Sequence, residues 1–536
     1  MSDLFTANRT ISSYDISNNH FGADGARHVA VGLRKNRGLT RLDISQNRLT
    51  GDQPFDDTGG IVDIAESLEE VHNSLVILDL HSNHVSDGSS ASAGCYSLGG
   101  VIAANTTLEW VLLNSLPLLV QDLRGAHARV TSLDFSGKDI ALDDLAVISC
   151  LIANNAVLRS IDFRANPKIN TIEGSGALGS ALSKNQTARV EYVFMDRWSL
   201  GPTTVELNLT LANLAPYDMV LMGAVLRWNT TLQTLILRQN NICGVKTLTQ
   251  EEGYDLEGLQ QLCAGLAANA GVTLLDLSQN SIRHEGAKLI ADMLLQNEAI
   301  RTIHLGHNGL CRVGYSSHAR QIVETLKHNK TLTYLSLHNN FLQPDVLEAL
   351  AKVLPLTNTI RHIDLRNSVV SKKAGDAFAH AMEHNYSLEL LGLGNSTLDL
   401  NMIKDDRLTE LNLARGFLGS GGVIIICKLL QYCEQLKKLD LAENGMGIDG
   451  GKAVAELMAM NENIQFYGLA MNGLCGIEYD FALSKWKGAY DLSVLNAMCS
   501  SVRSSKADRT IDISMNNIKA DTARLLRRDF GKSFNF

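Results

Sequence analysis

The stretch VTLLDLSQNSIRHEGAKLIADMLLQNEA, residues 272–299, contains the pattern that decides the fold. Its apolar residues follow the spacing L-x-x-L-x-L up to Leu277, and Asn280 stands three residues later. Alternate side chains of a strand point to opposite faces, so the spacing predicts that Leu275 and Leu277 are buried and that Asp276 faces outward. The chain then turns and leaves backbone groups without strand partners, and the short Asn280 amide can bind them.

The second half of the same stretch predicts a helix, because Ala287, Ile290 and Leu294 recur at helical spacing. Asn297 is expected to end this helix, since asparagine tolerates the left-handed conformation found at helix ends. One such strand–turn–helix unit cannot bury its own apolar face, so it must stack on neighbouring units. The pattern therefore predicts a solenoid.

The same pattern returns along nearly the whole chain, in about eighteen units of varying quality. Several units follow each other at a strict step of 28 residues, as from 272 to 300 and from 332 to 360 to 388. A single match to the spacing is common by chance, whereas many matches in phase are not. The asparagine after the strand recurs as Asn19, Asn47, Asn83, Asn166, Asn240, Asn280, Asn308, Asn340, Asn444, Asn472 and Asn516.

These units resemble the ribonuclease-inhibitor-like leucine-rich repeats, most clearly in the segment EGAKLIADMLLQN at 285–297. The resemblance implies an α/β leucine-rich-repeat solenoid, a horseshoe with a parallel β-sheet on its concave side and α-helices on its convex side. We predict one such domain over residues 11–518. It lies between an N-terminal extension at 1–10 and a C-terminal helix with an aromatic tail at 519–536.

Departures from the repeat mark the places where the chain could differ from the class. Residues 108–215 form an irregular sector, and longer loops are predicted near 50–60, 243–255, 311–320 and 475–490. Inserted loops in solenoids often bind partners. The last three loops begin alike, with N-x-[IL]-C-[GR]-[VI], which also fits an alternative subtype of the repeat. Both interpretations stay open.

Two units are shorter than the rest, those that run from 190 to 204 and from 388 to 408. They leave no room for a full helix, so the helical layer is expected to be thin there. At the start of the chain the first predicted strand begins at Ile11, and either residues 1–10 or an end-on partner must cover it.

Composition excludes several functional classes. A net charge of −9 without a basic stripe disfavours nucleic-acid binding. Nine scattered cysteines without a C-x-x-C pair suit free thiols in a reducing compartment. Neither a signal peptide nor an apolar run of membrane-spanning length is found, so we expect a soluble cytoplasmic protein without membrane insertion. Four N-x-S/T sequons are interpreted as helix-ending asparagines, not glycosylation sites: Asn105, Asn229, Asn329 and Asn385.

The outward strand positions carry the candidate partner-binding residues. Asp15, Asp43 and Asp79 would form an acidic ladder across adjacent strands, in which each carboxylate is expected to raise the pKa of the next. A basic partner would relieve that repulsion. The alternative is that each aspartate belongs to the L-D-L-S pattern and accepts hydrogen bonds from a neighbouring serine or backbone group.

Large apolar side chains at outward positions indicate an interface more directly, because water-facing aromatic residues mark binding surfaces. A register slip or a covering loop is the competing interpretation. The residues are Trp110, Leu112, Tyr192, Phe194 and Phe466.

Catalytic, cofactor and metal sites find little support. The segment GMGIDGGKA at 445–453 lacks the first glycine and the Ser/Thr of a nucleotide-binding loop. His304, His338 and His362 occupy different rungs of consecutive strands, about 8 Å apart, which is too far to share a zinc ion. We therefore assign no catalytic residue, cofactor or metal ligand, and we predict that the protein is not an enzyme.

The sequence thus predicts a non-catalytic scaffold that binds other proteins through its concave face, inserted loops and terminal repeats, as a subunit of a larger assembly. The repeat class makes a cytoskeletal or ciliary setting the expectation. The alternative is a regulator of a small GTPase, resembling the Ran GTPase-activating protein, which acts through an arginine in an N-terminal repeat loop. The comparable loop at 50–60 is acidic and has no arginine, although Arg41 and Arg48 lie nearby.

Overall fold

The computed structural model describes residues 2–51, 57–69, 74–83, 85, 93–114, 116–185, 190–312, 314–480, 485–505 and 507–536. The chain divides into two compact units. Unit 1 comprises residues 1–235, 240–245 and 251–272, and unit 2 comprises residues 236–239, 246–250 and 273–536. Each unit stacks short strands and helices in alternation, as the α/β repeat pattern predicts.

Most strands are three residues long, and the middle residue points into the core, as Leu42, Leu78 and Leu275 do. The first and third residues then lie on the other side of the sheet, which we call the outward strand face. The strands are β1 (Ser13–Asp15), β2 (Arg41–Asp43), β3 (Ile77–Asp79), β4 (Trp110–Leu112), β5 (Pro117–Leu119), β6 (Ser132–Asp134), β7 (Ser160–Asp162), β8 (Tyr192–Phe194), β9 (Ser199–Leu200), β10 (Glu206–Asn208), β11 (Thr234–Ile236), β12 (Leu274–Asp276), β13 (Thr302–His304), β14 (Tyr334–Ser336), β15 (His362–Asp364), β16 (Leu390–Leu393), β17 (Ser396–Asp399), β18 (Glu410–Asn412), β19 (Lys438–Asp440), β20 (Phe466–Gly468), β21 (Glu478–Asp480), β22 (Lys485–Lys487), β23 (Thr510–Asp512) and β24 (Phe534–Asn535).

The helices pack on the other side of the strands and bury one apolar face each. In α10, for example, Ala287, Ile290 and Leu294 are buried, as their spacing predicts. The helices are α1 (Ser2–Ala7), α2 (Gly22–Lys35), α3 (Gly59–Ser67), α4 (Ala93–Ala104), α5 (Val120–Arg124), α6 (Leu142–Ile152), α7 (Ile172–Lys184), α8 (Pro216–Leu226), α9 (Glu257–Ala267), α10 (Arg283–Gln296), α11 (Ser317–Glu324), α12 (Pro344–Val353), α13 (Lys372–Met382), α14 (Leu400–Lys404), α15 (Gly419–Leu429), α16 (Gly447–Met460), α17 (Ser493–Ser504) and α18 (Ala520–Phe530).

Neighbouring repeats pair their strands in parallel and in register. In unit 1, β1 to β4 are parallel, and so are β6 to β8. In unit 2, β12 to β16 are parallel, and β18, β19, β20, β23 and β24 form a further parallel sheet. The prediction of parallel strands is confirmed.

Antiparallel strands end three of these parallel runs, because β5 pairs with β4, β9 with β8 and β17 with β16. Each of these hairpin strands takes the edge at which the next repeat would have paired, so a new sheet begins after it. The helices nevertheless continue to pack across the interruptions, as α4 does with α6, α7 with α8 and α13 with α15.

These hairpins explain the two short repeats. In residues 190–205, all of which the structure describes, β8 and β9 take the place of a strand and a full helix. In residues 388–408 the hairpin of β16 and β17 is followed by α14, which has 5 residues. The prediction that these two units leave no room for a full helix is therefore confirmed.

Asparagines join consecutive repeats on the strand side. The Nδ2 of Asn280 donates to the carbonyl oxygen of Leu277 at 2.9 Å, and the Oδ1 of Asn308 accepts from the backbone N–H of Asn280 at 2.8 Å. Asn340 accepts in the same way from Asn308 at 2.9 Å. Asn280, Asn308 and Asn340 are fully buried. The predicted role of this asparagine column is confirmed.

A second asparagine column joins the helix ends. The Nδ2 of Asn329 donates to the carbonyl of Leu294 in the previous repeat at 2.9 Å, and its Oδ1 accepts from the N–H of Leu332 at 2.8 Å. Asn297 ends α10 as expected, but its φ of −78° and ψ of 130° are extended and not left-handed. It caps through its side chain instead, which accepts from the backbone of Ile300 at 2.7 Å.

Three of the four sequon asparagines belong to this second column and are buried: Asn105, Asn329 and Asn385. Asn229 is half-buried, and its Oδ1 accepts from the N–H of Leu232 at 2.8 Å. The interpretation of the sequons as helix-ending asparagines is confirmed, because their amides already bond to the backbone.

Short elements lie against the first and last repeats. Phe5 of α1 is fully buried, its ring lies 4.9 Å from that of Tyr14, and its carbonyl accepts from Asn36 at 2.7 Å. Residues of the predicted N-terminal extension therefore cover the first repeat. The aromatic tail is not a free segment, because β24 pairs in parallel with β23 and Phe534 is buried.

In the described chain no helix combines the length and the apolar character needed to cross a membrane. The nine cysteines are free thiols, and most of them are buried. Cys243, Cys311 and Cys475, which begin the three similar loops, are core residues. That placement supports the alternative-subtype interpretation of the start of these loops.

The strand register can be tested in unit 2. Replacing Leu277, which is fully buried, with Ala should lower the free energy of unfolding by about 2–5 kcal/mol. Asp276→Ala should cost less than about 1.5 kcal/mol, because it removes one hydrogen bond at a half-exposed position. Chemical denaturation measures both variants. Equal losses would contradict the register.

Candidate partner-binding surface

The outward face of the first sheet brings five of the predicted site residues together. Its third strand positions align Asp15, Asp43, Asp79 and Leu112 across β1 to β4. Its first positions align Ser13, Arg41, Ile77 and Trp110 in the same order. The face therefore changes from charged on β1 and β2 to apolar on β4.

The aspartates of this face are held by their own turns. The Oδ1 of Asp15 accepts from the N–H and the hydroxyl of Ser17 at 3.1 and 2.8 Å, and Asp43 accepts from Ser45 in the same way. Asp79 accepts from the ring nitrogen of His81 at 2.7 Å.

These bonds overturn one electrostatic expectation. Stacking was expected to raise the carboxylate pKa values, yet the hydrogen bonds from Ser17 lower the pKa of Asp15. The pattern-based alternative, in which each aspartate bonds to its own neighbouring residues, is therefore the better description.

The apolar end of the face is the hairpin of β4 and β5. Trp110 of β4 lies opposite Leu119 of β5, and their side chains are 43% and 40% exposed. Behind them Val111 and Leu118 pair and are buried. Leu112 lies opposite Pro117 on the same face and is half-buried. A tryptophan and a leucine are thus held side by side at the surface by a buried pair beneath them.

The second sheet of unit 1 repeats this design. Tyr192 and Phe194 stand on β8, the last parallel strand before a hairpin, and their rings stack at 6.3 Å. Tyr192 is 38% exposed. Phe194 is half-buried, and the guanidinium of Arg164 lies 5.3 Å from its ring while bonding to Asp162 at 3.0 Å.

Other predicted positions are not joined to these faces. Phe466 lies on β20 in unit 2, where Lys438 lies 5.6 Å from its ring centroid. Arg41 is exposed on β2, and Arg48 lies in the turn after β2 with a φ of 53°.

The inserted loops are described in part. The loop at 50–60 includes 52–56, which lie outside the described residues, as does 313 in the loop at 311–320. The loop at 475–490 contains the antiparallel pair of β21 and β22, with 481–484 outside the description. The loop at 243–255 is fully described and holds turns without a strand.

A buried aspartate in the first turn of a helix lies beside the turn of each hairpin of unit 1. Arg197, in the turn between β8 and β9, donates to Asp218 of α8 at 3.0 Å. Beside the turn of the first hairpin, Asp144 of α6 accepts from the N–H of Ala141 at 3.2 Å. Burial raises the pKa of Asp144 to about 6, although the amide of Asn114 and that N–H oppose the shift.

Unit 2 holds a ring cluster that was considered in the sequence only as a metal site. The ring of Tyr334 stands between those of His304, at 4.7 Å, and His362, at 4.3 Å. His338 contacts the hydroxyl of Ser336 at 2.7 Å. In the sequence these histidines stand at outward positions of consecutive repeats. The ring of Tyr334 connects two of them, which their spacing alone does not show.

Burial sets the charge of this ring cluster. It lowers the pKa values of His304, His338 and His362, so their rings are neutral near pH 7. Burial alone would raise the pKa of Asp364 beside them, but hydrogen bonds from Arg366 outweigh it and the pKa is lowered. The cluster is a largely neutral aromatic surface with one internal ion pair.

A set of potential metal ligands also escaped the sequence reasoning. Among the described residues, His380, Glu383 and His384 bring one ligand atom each within 4.8 Å of one another, and all three residues are exposed. The signal was the spacing His-x-x-Glu-His, which places three donors on one face of a helical turn.

A protein-family model described as Leucine Rich repeat matches residues 432–455, which contain β19 and the first part of α16. The chain therefore contains a leucine-rich repeat. The match agrees with the strands and helices on both sides of it, which repeat the same arrangement.

The chain is similar to parts of longer curated proteins, one of which has LRR in its name. The chain is 27% identical over 147 residues to NACHT, LRR and PYD domains-containing protein 14 of Mus musculus, which is 27% of this chain and 14% of that protein. It is 22% identical over 437 residues to Protein CARMIL of Dictyostelium discoideum, which is 77% of this chain and 38% of that protein. The chain thus spans well under half the length of either relative.

Among solved structures, the tropomodulin C-terminal domain of Caenorhabditis elegans matches with a TM-score of 0.26 and 15% identity. That likeness covers 32% of this leucine-rich-repeat chain and 93% of the tropomodulin domain. A score this low supports no argument about function.

The buried carboxylate behind the first hairpin gives a pH-dependent prediction. Asp144 has a pKa of about 6 in the folded protein, against 3.8 ordinarily. The protonated Asp144 side chain therefore contributes its full share to folding stability below pH 3.8, and this share is lost as the pH rises through 6. Asp144→Asn should raise the free energy of unfolding near pH 7.5 by up to about 3 kcal/mol, and the melting temperature should rise with it. Both gains should vanish near pH 4.

Asp218→Asn is the matched control. Burial raises the pKa of Asp218 as well, but Asp218→Asn leaves the partly buried Arg197 without its ion-pair partner, so it should raise the melting temperature near pH 7.5 less than Asp144→Asn does. Thermal unfolding followed by circular dichroism at the two pH values compares both variants. A loss of stability for Asp144→Asn near pH 7.5 would contradict the assignment.

Proposed function

We propose that this leucine-rich-repeat protein is a non-catalytic scaffold that binds a partner protein on the outward strand face of β1 to β5. The observation that carries the proposal is the exposed pair of Trp110 and Leu119, held rigidly over the buried pair of Val111 and Leu118. Large apolar side chains that are fixed in place bind a partner with little loss of conformational entropy.

The charges on the same face suggest what the partner presents. Asp15, Asp43 and Asp79 form a row on β1 to β3 beside the apolar end. Exposed Arg41 lies on β2, the middle one of these three strands. The turn hydrogen bonds keep the Asp15 carboxylate ionised but leave its charge at the surface. A partner segment with an apolar anchor flanked by basic side chains fits this arrangement best.

The assembly to which the protein belongs and its place in the cell are proposed from its repeat class alone. We infer a subunit of a larger cytoplasmic assembly, and the cytoskeletal expectation rests on the resemblance stated from the sequence. The ribonuclease-inhibitor-like subtype, the horseshoe curvature and the total of about eighteen repeats likewise stay predictions. Further partner contacts through the inserted loops, Phe466 and the terminal repeats belong to the same proposal.

The first test is quantitative mass spectrometry of what co-purifies with the tagged native chain and with Trp110→Ser/Leu119→Ser. A stoichiometric partner of the native chain should be lost from the double variant. Removing a central aromatic anchor typically costs about 2 kcal/mol or more, which is about thirtyfold in Kd. Phe194→Ala, on the second sheet, tests whether the face of β8 contributes to the same partner.

Tyr386→Ser/Tyr432→Ser is the matched control, because these tyrosines are 84% and 80% exposed in unit 2 and lie outside the strands. The control should keep the partner. Equal loss from both double variants, or retention in both, would overturn the assignment of this face. If no stoichiometric partner is found at all, the scaffold proposal fails. A nucleotide-hydrolysis assay with a small GTPase, controlled by Arg48→Ala, then becomes the next experiment.

A further inference from the structure

The end of α13 places three metal-binding side chains on one face. The helix runs from Lys372 to Met382, and Glu383 continues its geometry with φ −63° and ψ −24°. The backbone N–H of His384 bonds to the carbonyl of Ala381 at 3.1 Å. The helical turn therefore extends to His384, and His380, Glu383 and His384 share one face through i, i+3 and i+4 spacing.

The donor atoms of these residues are already close together. One ligand atom from each lies within 4.8 Å of the other two, and the Nδ1 of His380 is 3.2 Å from the Oε2 of Glu383. The two imidazole rings are 5.3 Å apart at an angle of 89°. A tetrahedral ion with bonds of about 2.0–2.2 Å needs its donors about 3.4 Å apart. Small rotations of exposed side chains supply the difference.

We propose that His380, Glu383 and His384 bind a divalent transition-metal ion, with Zn²⁺ the best match. Two imidazole nitrogens and one carboxylate oxygen suit zinc, whereas Mg²⁺ and Ca²⁺ prefer oxygen ligands alone. The site lies at the C-terminal end of a helix, where the backbone dipole favours a positive charge. Three protein ligands leave one position open to water.

The surroundings keep the carboxylate available. The Nζ of Lys428, on α15, lies 3.1 Å from the Oε1 of Glu383, which leaves Oε2 on the side of His380. His380 and Glu383 also line a pocket of about 310 Å³ between α13, α15 and α16, through which an ion can enter.

The nearby thiol of Cys427 does not compete for the metal ion. Cys427 lines the same pocket, but it is buried and burial strongly raises the pKa of its thiol. Its sulfur is not among the donor atoms that lie within 4.8 Å of one another. The site therefore differs from cysteine-based structural zinc sites in both its ligands and its exposure.

The test uses the purified full chain, freed of metal by chelator dialysis. Titration calorimetry with Zn²⁺ alone should find a site whose affinity falls by at least about tenfold in His384→Ala and in Glu383→Gln, since outer-shell changes alone cost as much. His328→Ala, at an exposed helix end outside the cluster, should leave the affinity unchanged. Because the ligands are at the surface, the variants should keep the melting temperature of the native chain.

Two further readouts separate this site from stray binding. Lys428→Met should tighten Zn²⁺ binding, because it removes a positive charge next to the ion. Co²⁺ should give the visible absorption of a tetrahedral nitrogen–oxygen site. Unchanged zinc affinity in His384→Ala, no zinc binding by the native chain, or a thiolate-to-cobalt charge-transfer band would each overturn the proposal. The scaffold experiment above does not depend on any of these results.

Discussion

Buried asparagine side chains that bond to the backbone of the neighbouring repeat are the interaction on which the structure depends. Each turn after a strand leaves backbone groups without sheet partners, and burying them unpaired would be costly. Asn308 bonds to its own turn and to the repeats before and after it. The second column, represented by Asn329, does the same at the helix ends. Leucines fill the space between the two columns, but the asparagines fix how far one repeat lies from the next.

At one place in the second column an arginine takes the place of the asparagine, and it shows which backbone groups must be paired. Near the end of the chain, the buried guanidinium of Arg509 donates to the carbonyls of Met458 and Asn461 at 2.7 and 2.9 Å. Asn461 makes the equivalent bonds one repeat earlier, to Leu430 and Cys433. A different side chain therefore serves the same carbonyls. The constraint is the pairing of these backbone groups, and asparagine is its usual solution.

Much of this could be predicted from the sequence, because the apolar spacing and the asparagine columns are strictly periodic. The strand faces followed correctly for Leu275 and Asp276, and the aspartates of the first sheet were placed in one row. The hairpins could not be predicted in the same way. The segment of β4 and β5 keeps an apolar alternation that suits a parallel or an antiparallel strand equally. Only Gly394 and Asn395, between β16 and β17, offer a recognisable turn signal. The His380 cluster was missed because its residues lie on a helix face outside the strand pattern.

The antiparallel strands have a consequence for cooperativity. In a repeat protein, an opening in one repeat spreads when the coupling to its neighbour is strong. At β5, β9 and β17 no strand pairing joins the described strands on the two sides, and helix packing together with bonds such as that of Arg197 to Asp218 connects them. An opening in one sheet is therefore transmitted to the next through helix and side-chain contacts and not through strand pairing.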